Sequence, residues 1–287
     1  MRSAYELESS KITALMMNAI LTFICREYAT LPFKRHVFEM LRRYVRLPAN
    51  TYRHLHFVAP IVIAMEDGAR FKMHHFGAQV ENDLFWSGYG NGYEATSLRL
   101  WACLATTADT IFDIGANTGV YALAAKAINA KAHVFAFEPV VSITGRLKSN
   151  IELNGFDIEI VPAGVSSSSG EAVMYIPAAD HSYSASLNVN MLGGQDNLVE
   201  PIVQTVRIDA FVKDRQLASA DLFKIDTEKH EVDVLIGFGD VITQFRSLVL
   251  IEILDQQLGK RIELFFLDFG YFFTKSLKAK RCGVSVH

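Results

Sequence analysis

Three charged side chains spaced two apart, Lys224, Asp226 and Glu228, close an apolar run at Asp221–Ile225. Charges are rare inside parallel strands, which are covered on both faces, so such a cluster marks the carboxyl edge where open α/β sheets bind ligands. If the strand continues, period two puts all three side chains on one face. The set offers a carboxylate, Asp226 or Glu228, to take a proton from a hydroxyl, and an ammonium, Lys224, to orient a carboxylate or the reacting oxygen. The alternative is a structural ion pair between Lys224 and one of the acids. A second signal lies upstream, where the apolar run Thr110–Ile114 enters Asp113-Ile-Gly-Ala-Asn-Thr-Gly119. Glycines there permit a sharp turn and a close ligand, and the helix start that follows offers unpaired N–H donors.

Dinucleotide enzymes use a similar turn, G-x-G-x-x-G, but here the spacing is G-x-x-x-G and an acid precedes it. A carboxylate at that point opposes a pyrophosphate and attracts cationic groups, such as the ammonium and sulfonium of S-adenosylmethionine. The next apolar run ends in Phe135-Ala-Phe-Glu-Pro139, which sets Glu138 at the neighbouring carboxyl edge, about twenty residues past the glycines, where an acid can accept both ribose hydroxyls. Taken singly, Asp113 also reads as a helix N-cap and Glu138 as a surface acid before a proline. Their joint placement favours the cofactor reading. Gly115, Asn117, Gly119 and Pro139 complete the candidate cofactor set, with Glu94 ahead of the first strand as a candidate contact for the methionine ammonium.

Phe112–Gly119, Ala136–Pro139, Asn150-Ile-Glu-Leu-Asn154 and Phe223-Lys-Ile-Asp-Thr-Glu228 together resemble the FkbM family of methyltransferases, with Gly92-Tyr-Glu94 and Ser186-Leu187 adding to the likeness. The resemblance runs from about Ile61 to Tyr271. It implies a class I methyltransferase with a seven-stranded, mostly parallel sheet, S-adenosylmethionine as cofactor, and a hydroxyl oxygen of a sugar, glycolipid or other small molecule as methyl acceptor. It also puts Asp226 and Glu228 in the family's catalytic motif. That motif usually continues Glu-Gly-x-Glu, whereas this chain has Glu228-Lys-His-Glu231. Lys229 in place of glycine must alter the turn or fill space near the acceptor. This raises a competing reading, a methyltransferase-like protein that binds without turnover. His230, Glu231 and Glu252 are acceptor-side candidates.

The elements that must position these residues alternate from Gly92 onward: helix Tyr93–Ala105, strand Thr110–Ile114, helix Thr118–Ile128, strand His133–Phe137, helix Ser142–Asn154 and strand Ile158–Pro162, with later strands at Asp221–Ile225 and Leu248–Ile253. Alternation of this kind predicts right-handed βαβ units and a doubly wound α/β, Rossmann-like domain over 92–287. Residues 1–91 read as two helices broken near Pro32 and a hairpin turning at Glu66-Asp67-Gly68. The polar stretch between Ala178 and Val199 predicts a loop over the site.

Composition narrows the rest. Half of the 287 residues are apolar, 21% are charged and the net charge is −3, which gives a nucleic-acid partner no support. There is also no Asn-Pro-Pro-aromatic run after the fourth strand. The three cysteines are scattered, which suits a reducing, cytoplasmic setting, and His74, His75 and His181 are not spaced as a metal site, so no metal is expected. Ile12–Cys25 is apolar but shorter than the ~20 residues of a membrane span, and its flanks do not suit a secretory signal. It predicts an amphipathic helix packed on the body or on a second copy, a route to a homo-oligomer. The second N-terminal helix, Phe33–Arg46, carries Lys34, Arg35, Arg42, Arg43 and Arg46, either a solvated face or a surface for an anionic group.

Overall fold

The computed structural model describes residues 33–92, 94–177, 187, 198–199 and 201–271. The apolar segment Ile12–Cys25, Tyr93, His181 with most of the polar loop, and the basic tail Lys275 to Arg281 lie outside the described residues. The chain divides into two compact units, Met1–Ala59 with His75–Trp86, and Pro60–His74 with Ser87–His287. In the first, α1 (Lys34–Tyr44) and α2 (Ala49–Tyr52) precede α3 (Gln79–Ser87). Phe38 of α1 is 1% exposed, with its ring centroid 5.1 Å from Trp86 and 5.8 Å from Phe57.

The hairpin β1 (Ala59–Ala64) and β2 (Arg70–His75) turns where Asp-Gly predicts. Met65 N–H donates to Ala69 O, the Asp67 carboxylate accepts from Ala69 N–H, and Gly68 takes the left-handed φ of 90° the turn requires.

The second unit is built on a five-stranded parallel sheet in the order β12-β11-β3-β4-β5, from β3 (Thr110–Ile114), β4 (His133–Phe137), β5 (Ile158–Val161), β11 (Leu222–Ile225) and β12 (Leu248–Ile251). The resemblance implied seven strands; among the described residues the sheet has five. Helices α4 (Ala95–Ala105), α5 (Val120–Ile128) and α6 (Val141–Asn154) precede or link the first three strands. A smaller sheet, unforeseen in the sequence, joins β6 (Gly164–Val165), β10 (Ile202–Val206) and β7 (Gly170–Val173), while β8 (Ile176–Pro177) pairs with β9 (Leu198–Val199). Helices α7 (Ile208–Asp214), α8 (Glu231–Ile236), α9 (Val241–Phe245) and α10 (Gln256–Asp268) complete the unit.

Strand register divides the sheet into an apolar face and a functional one. Phe112 pairs with Phe135 on one side and Phe223 on the other, so three aromatic rings share a face, with Phe112 and Phe223 stacked at 4.4 Å. Phe211 of α7 and Phe238 close over them. Each fully buried ring contributes about 1.5–3 kcal/mol. The next residue in each strand points the opposite way, which puts Asp113 and Lys224, cross-strand partners, on the other face. The family-like asparagines of α6 hold the hairpin. Asn154 accepts from Lys72 N–H and donates to Lys72 O, both at 2.6 Å, while Asn150 accepts from His74 N–H and donates to Thr118 O.

Candidate active site

Strand order reverses between β3 and β11, because the chain builds outward through β4 and β5 and then returns to the other side. Ligands bind open α/β sheets at such a switch point, in the crevice beyond the carboxyl ends. The loops after β3 and β11 meet there. A Cβ on Gly115 would lie 1.9 Å from the Asp226 carbonyl oxygen, so only glycine, here at φ 76°, lets the two backbones pass. Gly115 and Ala116 N–H groups donate to Phe137 O, which hooks the turn onto the end of β4. Asn117 takes a left-handed φ of 51°, and Gly119 caps α5 with no room for a Cβ against Leu147.

Glu138 staples this turn. It accepts from Asn117 N–H at 3.0 Å and from Val140 N–H at 2.9 Å, and burial raises its pKa to about 7 despite both bonds. Two of its lone-pair positions therefore serve the backbone, and a carboxylate has about four.

A cleft of about 620 Å³ opens at the switch point. Gly115, Asn117, Glu138 and Pro139 line one part of it, Ile143, Val165, Met174 and Leu187 give it an apolar wall, and Asp226, Thr227, Glu228 and His230 form the rim. Three carboxylates and no Lys or Arg stand among its described lining residues, a donor set that fits a cationic ligand and opposes a diphosphate. A smaller cavity beside it is lined by Glu94, Ser97, Tyr121, Lys224 and Glu252.

The expected residues are thus not all in one place. Asp113 is completely buried and lines neither cavity. One of its oxygens accepts from Ala122 N–H at 2.9 Å; the other has no hydrogen-bond partner and stands 4.0 Å from Lys224 Nζ. Burial raises its pKa to about 6. Asp113 thus meets Lys224 rather than either cavity, and Gly119 shapes the turn from behind. Lys224 Nζ donates to Asp226 Oδ2 at 3.0 Å and to Gly115 O at 3.3 Å, and sits 4.7 Å from the centre of the Tyr121 ring. Burial opposes its charge, yet the attraction of Asp226, Asp113 and Glu94 holds its pKa above the ordinary value. Tyr121, which the sequence reading missed, also donates from its hydroxyl to Glu94 at 2.8 Å.

Glu228 departs from the face expected of it. Strand β11 ends at Ile225, and Glu228 and Lys229 have φ of 52° and 70°, so the three charges do not follow period two along a strand. Asp226 and Lys224 face one another across the strand end; Glu228 comes to the rim by a left-handed turn. Burial pushes Glu228 up to about 7, with the neighbouring Asp226 and Glu231 charges adding to it. Asp226 goes the other way: burial opposes its ionisation, but Lys224 and hydrogen bonds from Glu252 and Lys224 hold it below the usual carboxylate range. Glu252 is raised to about 8 by burial and by its hydrogen bond with Asp226.

Lys229 occupies the position where the family usually has glycine, and its φ of 70° supplies the reason for that glycine. The strained turn is held from beneath by Glu231, which is 1% exposed. It accepts from Thr227 N–H at 3.0 Å and Lys229 N–H at 3.2 Å rather than facing an acceptor. His230 reaches the cleft rim with Nε2 3.0 Å from Ser166 Oγ and Nδ1 3.6 Å from Asp233, and burial lowers its pKa against the opposing Asp233 charge. Val165 lies on β6 of the smaller sheet and Ser166 and Met174 directly follow β6 and β7, and none carried a motif by which to find it.

The family described as the methyltransferase FkbM domain matches residues 113–273, more than half of the chain. The chain belongs to the FkbM methyltransferase family. Among curated relatives of this FkbM protein, the hexuronic acid methyltransferase AglP of Haloferax volcanii is 29% identical over 163 residues, 56% of this chain and 62% of that protein. AMB antimetabolite synthetase AmbE of Pseudomonas aeruginosa is 28% identical over 181 residues, 52% of this chain and 8% of that protein. The alignments therefore span less than two thirds of either relative. A solved FkbM methyltransferase from Methylobacillus flagellatus aligns at 14% identity over 56% of this chain and 36% of that one, with a TM-score of 0.35, and adds no weight to the assignment. Among the described residues no helix is long and apolar enough to cross a membrane, and no group of His, Cys, Asp and Glu could hold a metal ion.

Proposed function

We propose that this FkbM methyltransferase uses S-adenosylmethionine and transfers its methyl group to a hydroxyl oxygen of a small-molecule, sugar or glycolipid acceptor. The observation that carries the reading is the acid-lined cleft at the switch point, with no Lys or Arg among its described lining residues and one rim carboxylate, Glu228, whose pKa lies near neutrality. In this reading Gly115, Asn117 and Pro139 border the adenosine, the remaining lone pairs of Glu138 accept the ribose hydroxyls, and the apolar wall of Ile143, Val165, Met174 and Leu187 receives the adenine. When bound, the cofactor supplies a methyl carbon activated by a positive sulfur.

The chain then has to hold the acceptor oxygen in line and take its proton. Of the two carboxylates left open by the sequence, Glu228 suits proton transfer better. A base works best with a pKa near the operating pH, and Asp226 is held ionised and weakly basic by Lys224. Glu228 would take the acceptor's O–H proton, and the bound cofactor would supply the methyl group, its carbon–sulfur bond breaking to leave a neutral thioether. Asp226, fixed by Lys224 and Glu252, positions the hydroxyl, and His230 borders the acceptor. Glu94 bears on the site through Tyr121. The sugar class of acceptor draws support from the name of the Haloferax volcanii relative.

Calorimetric titration with S-adenosylmethionine, then S-adenosylhomocysteine release measured against a panel of neutral and acidic glycosides, tests the proposal. Saturable binding with acceptor-dependent turnover is expected. Tight NADH binding with no affinity for the methyl donor overturns it. Binding without turnover on any acceptor favours the non-catalytic alternative, which the residues Lys229-His230 motivate.

A further inference from the structure

Helix α1 presents two faces of different character. Phe38 points inward and is fully buried, as expected of a surface helix. The opposite face is apolar as well: Phe33, Val37, Met40 and Tyr44, at intervals of four, three and four, are 74%, 44%, 59% and 83% exposed. At 100° per residue Val37, Met40 and Tyr44 form one stripe, about 10 Å long at 1.5 Å rise per residue, and Phe33 is exposed just ahead of it at the helix N-cap.

Bases rim it. Residues 33–46 contain five cations, Lys34, Arg35, Arg42, Arg43 and Arg46, and a single acid, Glu39, in a chain whose net charge is −3. Arg35 is spent on Glu39 at 2.8 Å, and Arg42 on the Phe85 carbonyl at 2.7 Å and the Phe85 ring. Arg43 and Arg46 are exposed and make no ion pair among the described residues, and His36 is exposed on the same flank as Arg43.

We infer that this face of α1 is a docking surface for an anionic lipid bilayer. An apolar stripe flanked by unspent arginines is the pattern of a helix that lies in the membrane interface, its apolar side chains among the acyl chains and its bases at the headgroups. Anionic headgroups complement the local excess of cations, and the aromatic Tyr44 suits the interfacial depth. A nucleic acid would match the bases but leave the stripe unused. The inference stands independently of the proposed chemistry.

Flotation of the full chain with phosphatidylcholine vesicles, with and without phosphatidylglycerol, provides the test. Binding is expected to the anionic vesicles, weakened by salt. The double variant Arg43→Ala/Arg46→Ala should weaken it about 30-fold, since each base near an anionic surface carries a roughly fivefold factor. Met40→Ser/Tyr44→Ser should lose binding while both variants keep the parent's circular dichroism. Three results overturn the inference. The first is no binding to anionic vesicles. The second is binding that ignores both lipid charge and these variants, which would assign it to another segment. The third is a dimer, seen by ultracentrifugation, that Tyr44→Ser dissociates, which would make the occupant a second copy.

Discussion

Replacing Lys224 by methionine removes the cation on which three anionic or polar groups converge. The ammonium lies 3.0 Å from Asp226 and 4.0 Å from Asp113, and its side chain is 7% exposed. At an effective dielectric of about 20, unit charges at these separations attract by roughly 5 and 4 kcal/mol. Desolvation of the three groups offsets much of that, and breaking a buried pair from one side costs about 3–5 kcal/mol because the abandoned charge remains. Lys224→Met should therefore lose about 3–5 kcal/mol in urea unfolding at pH 7.5. The loss should shrink with acid. Asp113 is raised to about 6 in the folded chain, above its unfolded value, so its contribution favours folding below the unfolded value and is lost as pH rises through about 6. Without Lys224 its pKa climbs further, and at pH 5.5 the carboxyl is neutral and no longer needs a counter-ion. Adding Asp226→Asn should recover part of the loss at pH 7.5. A loss below about 1 kcal/mol, equal at pH 5.5 and 7.5, would refute the idea that Lys224 neutralises this cluster.

Lys229→Gly should stabilise the chain by about 1 kcal/mol, because a side chain at φ 70° is strained and the half-exposed pair with Asp255 is worth little; urea midpoints decide it. Gly115→Ala should do the opposite, costing at least about 2 kcal/mol through its positive φ and the collision with Asp226 O, and should abolish methyl-donor binding by calorimetry. The pH profile of kcat/KM should rise through about 7 as Glu228 loses its proton and fall above about 8 as Glu252, deprotonated, repels Asp226. Glu228→Gln should lower kcat by about 10²–10⁴ and erase the acidic limb, whereas an unchanged limb assigns the base elsewhere. Tyr121→Phe keeps the ring under Lys224 but drops the bond to Glu94, so its stability should fall by about 1 kcal/mol in thermal unfolding, less than in Tyr121→Leu.

Much of the site was readable because its parts are local in the chain. The turn Asp113–Gly119 and the acid Glu138 each sit beside a short apolar run, and such runs alternating with helical segments fit covered parallel strands. The family membership follows from the same segments. What sequence distance concealed was how the segments meet. Tyr121 and Ser166 are ordinary residues until the fold sets one under Lys224 and the other against His230, 64 positions away. Asp113 looked like a ligand contact because spacing gives its position on a strand but not its depth; cross-strand register then pairs it with Lys224 and seals it beneath the site. Period two held as far as Ile225 and failed at Glu228, since backbone dihedrals past a strand end are set by the bonds that catch the loop, here to Glu231. Sequence fixes which charges are available and which strand ends carry them. Burial and register, properties of residues brought together from distant parts of the chain, decide which of those charges remain ionised and which of them a ligand can reach.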